Sequence, residues 1–240
     1  PLVSENIVPV VARTRPAKVP VISFSNDASA ADKDVFIMGT LPSQSVERVV
    51  SFAHAKGITT FAALVPRGAY GDRASAALMA TAKANGGSVV AMETYDRSNT
   101  SVTSAAQRLK AKGGYEAVLI ADGGRTATRA APDVKTSENT RLLGTELWSG
   151  EGAVTSSPAL SGAWFSAVAD TRFRQFSTSY KSRFGTQPYR IATLGYDAVL
   201  LTLRVARDWK VGTAFPTARM LDRGGFLGLD GAFRFNRDGV

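Results

Sequence analysis

Strand-length apolar runs alternate with amphipathic stretches along most of this chain, with glycines at the joins, and this rhythm constrains the fold more than any other feature. Residues 19–23 and 35–41 read as buried strands. Residues 45–56 set Val46, Val49, Val50 and Ala53 on one helical face, and Gly57 suits the C-terminal cap. A strand over 58–65 and an alanine-rich helix over 70–85 follow, ending at Gly86-Gly87. Next come a strand over 88–94, a helix over 102–112 stopped by Gly113-Gly114, and a strand over 115–121. Such alternation with short connections predicts βαβ units and a parallel sheet. Right-handed crossovers then place helices on both faces. Ligands of these sheets gather at the carboxyl ends of strands, on the loops into helices. That rule singles out Ser25-Asn26, Gly68-Ala69-Tyr70, Gly123-Gly124-Arg125 and Glu146-Leu147-Trp148.

After Leu147 the rhythm changes. Residues 150–157 read as a Gly/Ser/Thr loop, 164–168 as a short strand and 171–184 as a helix. A long helix is expected over 192–208, with Leu194, Ala198, Leu201 and Val205 at helical spacing. Residues 226–235 alternate apolar side chains around Asp230-Gly231, the pattern of a hairpin.

The chemistry that is missing narrows the function. The 240 residues are 44% hydrophobic and 20% charged, enough to bury a sizeable core. No apolar run reaches the ~18 residues of a membrane span, so no transmembrane segment is expected. A net charge of +9 raises the question of a polyanion. The basic residues are scattered, however, and lack the interleaved aromatics of single-strand binders, so no nucleic-acid partner is expected. There is no cysteine, and the single histidine, His54, lies in a predicted amphipathic helix. Disulfides, cysteine–zinc sites and thiol catalysis are therefore excluded. A metal would need carboxylates alone, without any D-x-[DN]-x-[DN]-G loop. No G-x-S-x-G elbow, Gly-Lys pair or S-x-x-K occurs, and the glycine pairs do not complete G-x-G-x-x-G. Carboxylate-only catalysis survives on composition but has no motif behind it. A binding role without catalysis, cofactor or metal is the expectation.

Five segments carry a resemblance. Pro1-Leu2-Val3-Ser4 has the form of a strand end turning into a helix, and Val19-Pro20-Val21-Ile22-Ser23-Phe24-Ser25-Asn26 that of a strand closed by a serine. Pro66-Arg67-Gly68-Ala69-Tyr70-Gly71-Asp72 makes a Tyr-Gly turn, Gly195-Tyr196-Asp197-Ala198 a late helix start, and residues 231–239 close on Phe-Asn-x-x-Gly. In their order and spacing they resemble the type I periplasmic solute-binding proteins, in the leucine/isoleucine/valine-binding branch. The resemblance implies an α/β fold of two lobes, with parallel sheets flanked by helices, hinged by three crossing strands and closing on a small ligand. Residues 1–44 with about 192–240 would form the first lobe, and 45–191 the second. The N-terminal part of that family's first lobe has no counterpart in this chain.

The resemblance also assigns roles. Ser4, Ser25 and the backbone of Phe24 match first-lobe contacts to a ligand carboxylate, and Tyr70 matches an aromatic contact of the second lobe. Glu146 falls where a glutamate binds the ligand ammonium, and Arg125 replaces an aromatic, which suggests an added acidic group on the ligand. The same residues have plainer readings: Ser4 and Ser25 as N-caps, Tyr70 as packing, Glu146 as a surface carboxylate. The implied location is periplasmic, compatible with a lipid anchor upstream, and the implied partner is an ABC transporter permease or a sensor. The run Leu64-Val65-Pro66-Arg67-Gly68-Ala69-Tyr70-Gly71-Asp72-Arg73 equally resembles lipoprotein activators of penicillin-binding proteins, whose partner would be a cell-wall synthase.

Overall fold

The computed structural model describes residues 1–99, 101–210 and 212–240. In chain order the described residues begin with α1 (Ile7–Thr14), β1 (Val21–Ser23) and β2 (Val35–Ile37). There follow α2 (Pro42–Ala55), β3 (Thr60–Pro66), α3 (Ala69–Ala84), β4 (Ser88–Tyr95), α4 (Ser101–Lys112) and β5 (Ala117–Ile120). Next are α5 (Gly124–Val134), β6 (Arg141–Gly144), the short α6 (Gly152–Thr155) and β7 (Trp164–Phe165). Two longer helices, α7 (Asp170–Phe184) and α8 (Ala192–Val205), precede β8 (Phe226–Gly228) and β9 (Gly231–Phe233). By its internal contacts the chain forms two units: Pro1–Leu41 with Val168–Val240, and Pro42–Ala167.

The second unit is a doubly wound sheet. Its strands run in the order β4-β3-β5-β6-β7, every pair parallel. β3 shows why. It is apolar and buried along nearly its whole length, the pattern of a strand covered on both faces. Successive side chains point to opposite faces. Ala62 and Leu64 join the cluster with Val102, Ala106 and Leu109 of α4 and Ala127 and Ala131 of α5. Phe61, Ala63 and Val65 join that of Val46 and Val50 of α2 and Leu78 of α3. β5 splits likewise, Val118 and Ile120 to one side, Ala117 and Leu119 to the other. Counted within the unit, the strand order is 2-1-3-4-5, so the winding reverses between β3 and β5, and the carboxyl ends of these strands frame the crevice where such sheets bind ligands.

The first unit has smaller sheets. β1 and β2 pair in parallel, Val21 opposite Val35 and Ser23 opposite Ile37. Val35 and Ile37 pack with Ile7 of α1, whereas Phe36 packs with Leu201, Val205, Met220 and Phe226. The Phe-Asn-x-x-Gly close has a physical reason. Asn236 Oδ1 accepts from the N–H groups of Asp238 and Val240, and the Gly239 carbonyl accepts from Ile37 N at 2.8 Å. Gly239 has φ of +86°, and a Cβ there would overlap the carbonyl of Val35. β8 and β9 form the expected hairpin. α8 buries Thr193, Asp197, Leu201 and Val205, and leaves Val199 and Leu203 60% and 63% exposed.

Several sequence expectations shift. α8 ends at Val205 rather than at 208. Two elements have no counterpart in the sequence reading: the stretch 124–134 is the helix α5, and 141–144 is the core strand β6. Residues 150–157 contain the single turn α6. The units divide after residues 41 and 167, against 44 and 191 expected, so α7 groups with the first unit. Polar ties account for this: Arg172 donates to the Gly228 carbonyl at 2.9 Å, and Arg190 joins Asp170 to Asp230 at 2.5 and 3.0 Å. Among the described residues no helix is long and apolar enough to cross a membrane.

Candidate functional site

Gly68, with φ of +105°, turns the chain out of β3 into α3 and so sets Tyr70 in the first helical turn at the switch point. The Tyr70 hydroxyl bonds Thr145 Oγ1 at 2.9 Å and donates to Glu146 Oε1 at 3.1 Å. Tyr70 and Glu146 are thus brought together, 76 positions apart in sequence. Burial, then the negative charge of Glu146, holds the Tyr70 phenol well above its ordinary range, so it stays a donor.

Glu146 opens a short 3₁₀ turn after β6 whose cap is Thr145. Its N–H donates to Ser45 Oγ of α2 at 2.9 Å, and Ser45 Oγ is also 2.5 Å from Ser166 Oγ. The carboxylate is half-buried, and its Oε2 is wholly buried without a hydrogen-bond partner among the described residues. A buried carboxylate oxygen left unpaired is costly, so this atom calls for a donor.

Beside it, at the carboxyl ends of β4 and β5, sits a second polar group. Arg97 Nε and Nη2 donate to Asp122 Oδ2 and Oδ1, each at 3.0 Å, and the Tyr95 hydroxyl donates to Asp122 Oδ2. Gly123 N donates to Asp122 Oδ1 at 2.8 Å, and Trp148 Nε1 to the Asp122 carbonyl at 2.8 Å. The Arg97 guanidinium lies 5.6 Å from the Tyr70 ring centroid, in cation–π range. Arg125, in the first turn of α5, is exposed and makes no hydrogen bond or ion pair among the described residues.

Ser4, Phe24 and Ser25 lie in the first unit. The Pro1 carbonyl accepts from Phe24 N at 2.7 Å and from Ser23 Oγ at 3.1 Å, which lays the segment leading to Ser4 against the end of β1. The Phe24 N–H is therefore engaged within the protein. Ser25 is buried; its N–H goes to Ser23 Oγ, and its Oγ accepts from Asp27 N at 3.1 Å, leaving its hydroxyl proton to donate. Ser4 is not the N-cap of either helical turn that follows, and its hydroxyl has no hydrogen-bond partner among the described residues. Gly39 passes so close to the Phe24 and Ser25 carbonyls that any side chain would collide with them.

Arg97, Asp122, Tyr95, Thr145 and Ser45 escaped the sequence reading. Asp122 had a usable signal, since it directly follows a predicted strand at the end where ligands gather. Ser45 had none, because its partner is 101 positions away.

With this geometry in view, the comparisons are consistent. No curated protein matched the sequence. Among solved structures, an ABC transporter substrate-binding protein from Desulfitobacterium hafniense superposes with a TM-score of 0.76 at 19% identity, over 100% of this chain and 73% of that one. A leucine-binding protein from Thermotoga maritima gives 0.75 at 15%, over 100% and 72%. A solute-binding protein of an ABC transporter from R. palustris, solved with benzoate, gives 0.72 at 18%, over 95% and 67%. The fold is thus that of the type I periplasmic binding proteins, and the chain has counterparts for roughly the same share, 72–73%, of the first and second of these structures. The family model described as periplasmic binding protein matches residues 2–239, and the chain belongs to that family.

Proposed function

We propose that the protein is an extracytoplasmic solute-binding protein that captures an amino acid or a related small molecule for an ABC importer or a sensor. The buried, unpartnered Oε2 of Glu146 carries this reading. A primary ammonium supplies the charge-assisted hydrogen bond that oxygen lacks, while Tyr70 keeps Oε1 occupied and the carboxylate aimed. Within the first unit, the hydroxyls of Ser4 and Ser25, each with a proton left to donate, are donors of the kind a carboxylate accepts from. Leucine and benzoate, named with two of the structural neighbours, share a carboxylate. Family membership supports binding rather than catalysis, and a location outside the cytoplasm.

Calorimetric titration of the full chain with a panel of amino acids tests this. At least one amino acid is expected to bind, and Glu146→Gln to weaken it by about 1.5–3 kcal/mol. Unchanged affinity in the variant removes Glu146 from the site. If nothing binds, and the chain instead retains a wall synthase in a pull-down, the activator reading replaces this one.

A further inference from the structure

Arg97 is held in an unusual half-committed state. Its Nε and Nη2 pair side-on with both oxygens of Asp122, and Nη1 has no hydrogen-bond partner among the described residues. A guanidinium has five N–H donors in a rigid planar fork. Side-on pairing leaves the other edge, Nη1 with the second proton of Nη2, in the geometry that grips a carboxylate with two parallel bonds. The exposure is equally lopsided: the Asp122 side chain is 11% exposed and that of Arg97 is 48%. Asp122 is itself pinned by Tyr95 and Gly123, so the arginine is anchored on one edge and open on the other. The guanidinium lies over the ring of the same Tyr70 whose hydroxyl bonds Glu146. One aromatic side chain therefore separates a carboxylate whose buried oxygen has no hydrogen-bond partner from a guanidinium whose outer edge has none, among the described residues.

Building on the solute-binding reading above, we infer that Arg97 is a specificity-determining residue that reads a second carboxylate, so that the ligand class is an acidic amino acid rather than a branched aliphatic one. Glu146 takes the ammonium and the open edge of Arg97 takes the side-chain carboxylate. Asp122 offsets the charge of Arg97 but occupies only the donors of one edge, so the other edge keeps its hydrogen bonds for the ligand. Arg125, exposed and without an ion-pair partner among the described residues, adds positive charge in the first turn after Asp122-Gly123.

The full chain is titrated calorimetrically with L-aspartate, L-glutamate, L-glutamine and L-leucine. One of the two acids is expected to bind roughly tenfold to a hundredfold more tightly than glutamine or leucine, as a charge-assisted hydrogen bond warrants. Arg97→Gln should abolish most of that preference while changing glutamine affinity only a few-fold, and Arg97→Lys should retain part of it. Circular dichroism and melting check that each variant folds, and the series on the unaltered chain decides independently if one does not. Glutamine or leucine binding as tightly as either acid overturns the role of Arg97 and leaves the amino-acid reading standing. Failure of every amino acid to bind overturns that reading, and the present inference with it.

Discussion

At the scale of single residues, three tyrosines link burial to a measurable response to pH. Burial raises the phenols of Tyr70 and Tyr95 well above the ordinary range, helped by Glu146 beside the first and by the bond to Asp122 at the second. Burial alone pushes Tyr115 up to about 12. In the unfolded chain all three ionise near 10. Above that pH the folded protein holds more protons than the unfolded one, so stability is fully present below pH ~10 and falls as pH rises beyond it. Urea midpoints between pH 8 and 11 should therefore decline above pH ~10, and Tyr70→Phe should lessen the decline; a flat profile would contradict the burial of these phenols. Ser45 gives a second prediction. It is buried and accepts the Glu146 N–H, so Ser45→Ala should cost about 1–3 kcal/mol in urea unfolding and also weaken ligand binding, because it frees the turn that aims the carboxylate. A loss of stability without loss of affinity would separate Ser45 from the site.

At the scale of elements, β6 and its 3₁₀ turn form the site's scaffold through one tight contact. A Cβ on Gly144 would overlap the fully buried ring of Trp148, whose Nε1 holds the Asp122 carbonyl. Gly144→Ala is thus expected to destabilise by about 1–3 kcal/mol through overpacking, and Trp148→Ala by about 3–5 kcal/mol through the cavity it leaves. Thermal melts would check both, and a neutral Gly144→Ala would show that the turn is looser than described. The elements differ in how far the sequence foretold them, for physical reasons. β3 and β5 were legible because strands buried on both faces are continuously apolar. α2 was legible because it buries one stripe against the sheet. α5 was not, because its buried face consists largely of small side chains, Ala127, Ala130 and Ala131, behind a glycine pair and with Pro132 in its last turn. Glu146 and Tyr70 were singled out as candidates through motif order and the carboxyl-end rule. The polar partners that orient them were hidden, since contacts across 75 to 101 positions leave no local pattern.

At the scale of the whole molecule, the alternation of strands and helices and the family's order of motifs together foretold the α/β architecture. The grouping of α7 with the first unit rests on Arg172 and Arg190, side-chain geometry that periodicity does not encode. The scattered basic residues give the protein its net charge of +9, and that excess is compatible with an anionic ligand as well as with anionic surroundings. The central claim is that this chain binds a free small molecule. A thermal-shift screen of the full chain against amino acids, short acidic metabolites and cell-wall peptides tests it most directly. A ligand at a hundred times its dissociation constant adds about 2.7 kcal/mol, a shift on the order of 5–10 °C for a domain of this size. The account predicts such a shift with amino acids; a flat screen on a well-folded chain would contradict it.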